Sequence, residues 1–109
     1  MACYFLKFIE VKKAFSSRKV KDMFFPRTRH SVCSDGRYLF ASGSADLNER
    51  ESKIVHEKNK RIDPKTVEMY DPRKDLWKQM PDLNLGRSNH SSCCLNKSLY
   101  IFCGFDSNL

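Results

Sequence analysis

Short apolar segments alternate with polar turns along most of this chain, a pattern typical of β-strands. Residues 66–70 alternate as a half-buried strand does, and residues 76–80 form a similar segment that ends before Pro81. Residues 38–41 form an apolar, aromatic run after the turn Ser34-Asp35-Gly36-Arg37, whose Asp35-Gly36 dipeptide favours the positive φ values of a two-residue hairpin turn. The pattern predicts an all-β chain of short antiparallel strands.

The segment that opens this strand pattern recurs 60 residues later. The shared residues are Arg27, His30, Ser31 and Cys33 in the first copy, and Arg87, His90, Ser91 and Cys93 in the second. After the turn, residues 38–43 align with residues 99–104, which moves the register by one residue. The recurrence predicts tandem structural units, each with an opening strand, a turn and an apolar strand that ends in glycine.

One complete unit then contains four short antiparallel strands, and it resembles the kelch repeat, which forms one blade of a β-propeller. The residues that carry the resemblance are Arg27, His30, Gly43, Tyr70, Asp71 and Trp77 in the first copy, with Arg87, His90 and Gly104 in the second. Each copy keeps only the second glycine of the Gly-Gly doublet typical of the family, as Ser42-Gly43 and Cys103-Gly104. The repeat of ~60 residues is also longer than the roughly 50 of a kelch repeat, with the excess in 44–60.

The resemblance implies an incomplete β-propeller made of antiparallel four-stranded kelch blades. Residues 1–25 would end a preceding blade, with strands at 5–11 and 15–20. Residues 26–85 would form a full repeat with a charged insertion at 44–60, and residues 86–109 would form the first half of a following repeat. Because a propeller closes with 4–8 blades, we expect a fragment of a longer kelch protein or a chain that assembles with others.

The motif residues have structural roles in this interpretation. Tyr70 and Trp77 are expected on neighbouring strands, where their rings pack one blade against the next. Arg27 and Arg87 are expected to join neighbouring strands through charge-assisted hydrogen bonds to carboxylates or carbonyls. Asp71 is a candidate acceptor, and it also suits the start of a turn.

Net charge separates the two halves of the chain. The total is +7, and residues 1–62 contain 14 Lys and Arg against 7 Asp and Glu, whereas residues 63–109 contain 6 of each kind. A basic half can attract phosphates or acidic partners. The basic residues are interleaved with glutamates and form no motif that reads nucleic acid, which argues against a nucleic-acid partner. A basic nucleic-acid- or phosphate-binding fragment is the alternative, and its affinity would fall steeply with salt.

The paired histidines and cysteines raise the question of a metal site. His30 with Cys33, and His90 with Cys93, supply the ligand types of structural zinc. Residues three apart on a strand face opposite sides of the sheet, so each pair cannot converge on one ion. No nucleophile elbow or phosphate-binding glycine loop occurs. We therefore predict no catalytic, cofactor or metal site, with a kelch-type propeller enzyme fragment as the alternative.

The resemblance implies a non-catalytic protein–protein interaction module that binds other proteins, and some kelch proteins serve as ubiquitin ligase adaptors. The insertion at 44–60 is a candidate partner loop, or else a disordered insertion. Its charged residues are Glu49, Arg50, Lys53, His56 and Lys58, among others. The longest apolar run has six residues, far fewer than the ~20 that span a bilayer, and the cysteines suit a reducing compartment. We expect a cytoplasmic protein with no membrane partner.

Overall fold

The computed structural model describes residues 3–9, 14–45 and 62–106, which form ten β-strands and contain no helix. The strands are β1 (Cys3–Ile9), β2 (Ala14–Val20), β3 (Ser31–Ser34), β4 (Leu39–Ser42), β5 (Val67–Asp71), β6 (Leu76–Met80), β7 (Arg87–Ser88), β8 (Ser91–Leu95), β9 (Ser98–Phe102) and β10 (Phe105–Asp106). The all-β prediction is therefore confirmed. No helix in the described ranges is long and apolar enough to cross a membrane.

The largest sheet contains four antiparallel strands in the order β3-β4-β5-β6, which is also their order in the chain. It confirms the predicted four-stranded antiparallel sheet and the strand assignments to within one residue. β4 and β5 are the central strands, and their β-branched and aromatic residues suit a surface that is covered on both sides. The sequential order allows each connection between neighbouring strands to run as a hairpin.

The first repeat copy and the second have the same strand register. β3 pairs with β4 through Ser31 opposite Ser42, and β8 pairs with β9 through Ser91 opposite Phe102. These pairs differ by 60 residues on both strands. The predicted one-residue shift after the turn is therefore wrong, because both hairpins turn through the same number of residues.

The two turns achieve that equal length with different residues. In the first, the Asp35 amide donates to the Tyr38 carbonyl at 3.3 Å, so the central pair is Gly36-Arg37 rather than Asp35-Gly36. In the second, Asn96-Lys97 form the central pair, and both have positive φ. Gly36 is the residue with positive φ in the first turn. Asp35 contributes through its carboxylate, which accepts the Arg37 and Tyr38 amides.

The shared register also changes which glycines correspond. Gly43 and Cys103 are equivalent, and both have positive φ, at 72° and 59°. The first copy therefore has Gly43-Ser44 where the second has Cys103-Gly104, so the prediction that the glycines occupy the same position in both copies is wrong. The sequence alignment was shifted by one residue because it matched Gly43 with Gly104, the glycines that follow the two apolar strands.

A separate hairpin, β1–β2, contains the first two strands of the chain. Both strands were predicted, although β1 begins and ends two residues earlier than expected. Two hydrogen bonds join the end of this hairpin to the four-stranded sheet. The Trp77 indole Nε1 donates to the Lys21 carbonyl at 2.7 Å, and the Lys21 amide donates to Asp75 Oδ1 at 3.0 Å.

The described core is small and contains many polar side chains. Its buried apolar residues are Val20, Met23, Ala41, Val67 and Tyr70. Its buried polar or charged residues are Arg27, Ser42, Ser44, Thr66, Glu68 and His90. Burying charged groups is unfavourable unless they are paired and hydrogen-bonded, so the contacts of this polar cluster determine how the sheet is held together.

Candidate functional site

Arg27 lies at the centre of the buried polar cluster, on the segment that leads into β3. Its Nη2 and Nε donate to Glu68 Oε2 at 2.7 and 3.1 Å, and both side chains are fully buried. Its Nη1 donates to the carbonyls of Gly43 and Thr66 at 3.0 and 2.7 Å. One guanidinium thus joins the end of β4 to the start of β5, in the manner of a charge-assisted fork.

Glu68 is the acceptor that the sequence interpretation missed. Besides Arg27, its carboxylate accepts the Phe24 and Phe25 amides, at 2.6 and 3.3 Å. The sequence feature that could have identified Glu68 is its position in β5, because it shares a face with Tyr70 two residues later. A carboxylate on that face has to be paired.

Asp71 does not bind Arg27, so that prediction is wrong. Its carboxylate instead accepts the Arg73 amide at 3.0 Å, and its carbonyl accepts the Lys74 amide at 3.3 Å. Asp71 lies at the end of β5, whereas the guanidinium reaches the beginning of that strand. The prediction that Asp71 starts a turn is confirmed, since it initiates the β5–β6 hairpin turn.

Arg87 occupies the position of Arg27 in the second copy. Its Nη1 donates to the Cys103 carbonyl at 3.1 Å, and the two residues are separated by 16 positions, as Arg27 and Gly43 are. Arg87 Nε is buried and has no hydrogen-bond partner among the described residues. The second arginine therefore repeats the carbonyl contact of the first without an equivalent of Glu68 at its Nε.

Tyr70 and Trp77 lie opposite each other on β5 and β6, which confirms the prediction that they are on neighbouring strands. Their ring centroids are 5.0 Å apart and the rings are tilted by 39°. The Tyr70 hydroxyl donates to Asp75 Oδ1 at 2.7 Å. Burial and this hydrogen bond raise the pKa of Tyr70 to about 12. The Lys21 amide and the Tyr70 hydroxyl both lower the pKa of Asp75.

His90 joins the second copy to the first. Its Nε2 lies 2.9 Å from Ser42 Oγ, and both residues are buried. A serine next to a histidine has the composition of a nucleophile and a base. Ser42 is fully buried, however, and His90 Nδ1 is buried without a hydrogen-bond partner in the described ranges. The contact links β4 to the segment before β8.

His30 has a similar environment in the first copy. Its Nδ1 is also buried without a hydrogen-bond partner among the residues described. Burial lowers the pKa of both His30 and His90, and the nearby Arg27 and Arg87 lower them further. His30 adds to the lowering at His90. Both rings are therefore favoured in the neutral form.

The opening strands of the two copies lie side by side, with like residues in contact. Ser31 Oγ and Ser92 Oγ are 2.6 Å apart, and Cys33 Sγ and Cys94 Sγ are 3.1 Å apart. Both cysteines of that pair are free thiols. Burial, followed by the Cys33 contact, raises the pKa of Cys94 to about 12. The second-copy cysteine that meets Cys33 is thus Cys94, not the motif residue Cys93, which is exposed.

An apolar groove separates the four-stranded sheet from the β8–β9 hairpin. Its volume is about 460 Å³, and its walls include Phe40, Met69 and Met80 on one side and Leu99 and Ile101 on the other. Among the described residues, no group of three or more His, Cys, Asp or Glu is placed to hold a metal ion. Asp35, Lys97 and Ser98 also line the groove.

The remaining predicted site residues divide into two groups. Gly104 lies in the second copy where its φ is 89°, and an added Cβ would fall 2.6 Å from the Ser88 carbonyl oxygen. The candidate partner-loop residues lie outside the described residues, namely Glu49, Arg50, Lys53, His56 and Lys58. Comparison with known proteins adds no family assignment, since no protein-family model and no curated protein matches this chain.

Proposed function

We propose that this chain is a segment of a kelch-type β-propeller that acts as a non-catalytic protein–protein interaction module. The observation that carries the proposal is the repetition of one arginine contact. Arg27 Nη1 and Arg87 Nη1 each donate to the carbonyl 16 residues ahead, at 3.0 and 3.1 Å. The contact recurs with the same strand register and the same positive φ at positions 43 and 103, as tandem blades require.

The lateral contact between the copies also supports a blade arrangement. β3 and β8, the opening strands, meet through Ser31–Ser92 and Cys33–Cys94. Blades of a propeller stack radially, and each packs against its neighbours. Two tandem sheets joined through their first strands suit that geometry.

The non-catalytic part of the proposal is supported by how the polar side chains are used. Arg27 and Glu68 are fully buried and satisfy each other. The Ser42–His90 pair is buried as well. These groups hold strands together, and none of them opens to a substrate-sized site lined by polar groups. The interaction role is then assigned to loops carried on a rigid sheet.

Residues 46–61 lie between β4 and β5 in the sequence, and their contribution is the one we would test first. The Gly43 amide donates to the Thr66 carbonyl at 3.1 Å, so the chain on either side of the loop comes together. A short Gly-Ser linker can therefore replace the loop without straining β4 and β5. We expect this replacement to leave the melting temperature of the protein nearly unchanged.

The experiment compares the proteins retained by the full chain, by the linker variant and by a control in which residues 46–61 are scrambled at constant composition. The proposal predicts binding partners that the full chain retains and both variants lose. Partners retained equally by the scrambled control would indicate a nonspecific charge effect. Loss of all binding in high salt together with recovery of nucleic acid would contradict the proposal.

A further inference from the structure

The thiol contact between the two copies is not a consequence of the repeat itself. Cys33 Sγ and Cys94 Sγ lie 3.1 Å apart, and both cysteines are free thiols. The register equivalent of Cys33 is Cys93, which is exposed, whereas the equivalent of Cys94 in the first copy is Ser34. The second copy therefore has a cysteine where the first has a serine, and this cysteine contacts a thiol of the first copy.

The position of the two sulfurs suits a covalent bond between them. A disulfide joins its sulfurs at about 2 Å, so the two atoms need to approach by only about 1 Å more. Two residues earlier on each strand, Ser31 Oγ and Ser92 Oγ are 2.6 Å apart. Since both contacts come from the same arrangement of β3 beside β8, the bond can close without a large displacement of either strand.

The two thiols differ in reactivity. Burial and the hydrogen bond with Cys33 raise the pKa of Cys94 to about 12, and the negative charges of Cys33 and Asp35 add to the effect. Cys94 therefore keeps its proton at neutral pH and donates it in the hydrogen bond to the Cys33 sulfur. The reactive form of a cysteine is the thiolate, so the first attack on an oxidant falls to Cys33, which is half-buried.

We propose that Cys33 and Cys94 form a peroxide-responsive redox site, in which Cys33 reacts first and Cys94 then closes a disulfide. The Cys33 thiolate attacks one oxygen of hydrogen peroxide, so that a sulfur–oxygen bond forms, the oxygen–oxygen bond breaks and hydroxide leaves. The Cys94 sulfur then attacks the sulfenic acid of Cys33, and the hydroxyl group leaves with the Cys94 proton as water. Two thiols are thereby oxidised and one peroxide is reduced to two waters, because the released hydroxide takes up the proton that Cys33 had lost.

The disulfide would restrain the second copy against the first. Near the start of β8, the copies are joined by the Ser42–His90 contact and by the Ser44 amide, which donates to the Arg87 carbonyl at 3.1 Å. The cysteine pair lies towards the other end of β3 and β8, where both strands enter their turns. Oxidation would therefore fix β8 at both ends, and amide hydrogen exchange in β8 and β9 should become slower.

The first arm of the test uses the full 109-residue chain, reduced and then freed of reductant. It is treated with hydrogen peroxide at neutral pH, digested with trypsin and analysed by mass spectrometry before and after dithiothreitol. We expect the loss of two thiols and a linked pair of peptides, residues 30–37 with residues 88–97, which dithiothreitol separates. The Cys93→Ser variant is the matched control. It should give the same link, because it keeps the contacting pair and removes the exposed neighbour.

The second arm tests the order of the two steps with dimedone, which traps sulfenic acids. Cys94→Ser places in β8 the residue type of Ser34 and removes the second thiol, so peroxide should leave a sulfenic acid on Cys33 that dimedone labels. Cys33→Ser should leave Cys94 unlabelled, because burial still favours its protonated form. A merely structural contact between two small apolar side chains would not produce this asymmetry.

Labelling of Cys33 no faster than labelling of the exposed Cys103 would overturn the proposal. A disulfide through Cys93, or one that joins two chains, would overturn it as well. The linked peptides of the unaltered chain decide the pairing even if a substituted chain fails to fold. The proposed function is tested separately, since the redox site depends on the contact of β3 with β8 and the partner experiment depends on residues 46–61.

Discussion

The two arginine sites of this chain share their local geometry and differ in their surroundings. Arg27 is enclosed by β4, β5 and the carboxylate of Glu68, whereas Arg87 has its carbonyl contact and a buried Nε with no partner in the described ranges. The local hairpin is therefore enough to define register, turn length and backbone conformation. Burial and charge compensation require the third strand as well.

The largest expected change in the free energy of unfolding comes from single substitutions of the two arginines. Arg27→Met leaves the Glu68 carboxylate buried without its cation, which should lower the free energy of unfolding by about 3–5 kcal/mol. Arg87→Met removes a hydrogen bond to the Cys103 carbonyl, with an expected loss of about 1 kcal/mol. Urea denaturation measures both. Equal losses would show that the two sites are equivalent after all.

A second test joins the two copies covalently. Diamide should oxidise Cys33 and Cys94 to a disulfide, with loss of one hydrogen from each thiol and reduction of diamide to the hydrazine. Because Cys33 and Cys94 are 61 residues apart, the cross-link should stabilise the chain by up to about 4 kcal/mol. The raised pKa of Cys94 keeps thiolate scarce, so the reaction should quicken with increasing pH.

The oxidation is monitored by the intact mass and by the melting temperature. Cys93→Ser and Cys103→Ser are the matched controls, because both side chains are exposed and neither belongs to the contact. Each control should still form the bond, and Cys94→Ser should not. A disulfide that forms through Cys93 instead would contradict the side-by-side arrangement of β3 and β8.

Substitutions at the equivalent positions 43 and 103 should change the free energy of unfolding in opposite directions. Gly43→Ala combines a φ of 72° with a Cβ that meets the Arg87 carbonyl oxygen and lies 2.5 Å from His90 Cε1, and we expect a loss of about 2–4 kcal/mol. Cys103→Gly relieves a positive φ in a non-glycine residue and should gain up to about 1 kcal/mol. Gly36→Ala is the control for backbone strain, because its Cβ would meet open space. Equal losses of unfolding free energy for Gly36→Ala and Gly43→Ala would show that close packing around Gly43 does not contribute.

The smallest expected effect is a pH dependence centred on the two histidines. Burial lowers the pKa of His30 and His90 in the folded chain, so below pH ~6.5 the unfolded state binds more protons. Stability should therefore fall as the pH drops from about 7 towards the lowered folded values. Melting temperatures between pH 7.5 and 5.5 measure this, with His30→Asn/His90→Gln as the comparison. An equal decline in that double variant would assign the effect to other groups.

The elements that sequence reasoning predicted are the ones fixed by short-range chemistry. β6 was predicted residue for residue, and the facing of Tyr70 and Trp77 follows from the hairpin that Asp71 begins. The repeat was visible because Arg87 and His90 keep the residue types of Arg27 and His30, and Arg87 keeps the carbonyl contact of Arg27. These signals lie within a few residues of one another, where pattern and turn chemistry are informative.

Contacts between residues far apart in the sequence were harder to predict. Glu68 resembles any polar residue of an alternating strand, and its partner Arg27 lies 41 positions away in the sequence. The contact of Cys33 with Cys94 depends on how β3 lies against β8, which no local pattern specifies. The register error arose because a matching glycine is easily seen in a sequence, whereas equal turn length is not.

The hydrogen bond from the Trp77 indole to the Lys21 carbonyl gives the chain an internal optical reporter. Trp77 is the single tryptophan of the sequence, and its ring nitrogen bonds the residue that follows the β1–β2 hairpin. Detachment of that hairpin would release the indole to water and shift its emission to longer wavelength. Fluorescence of the unaltered chain thus separates departure of the first hairpin from melting of the β8–β9 hairpin, which holds no such chromophore.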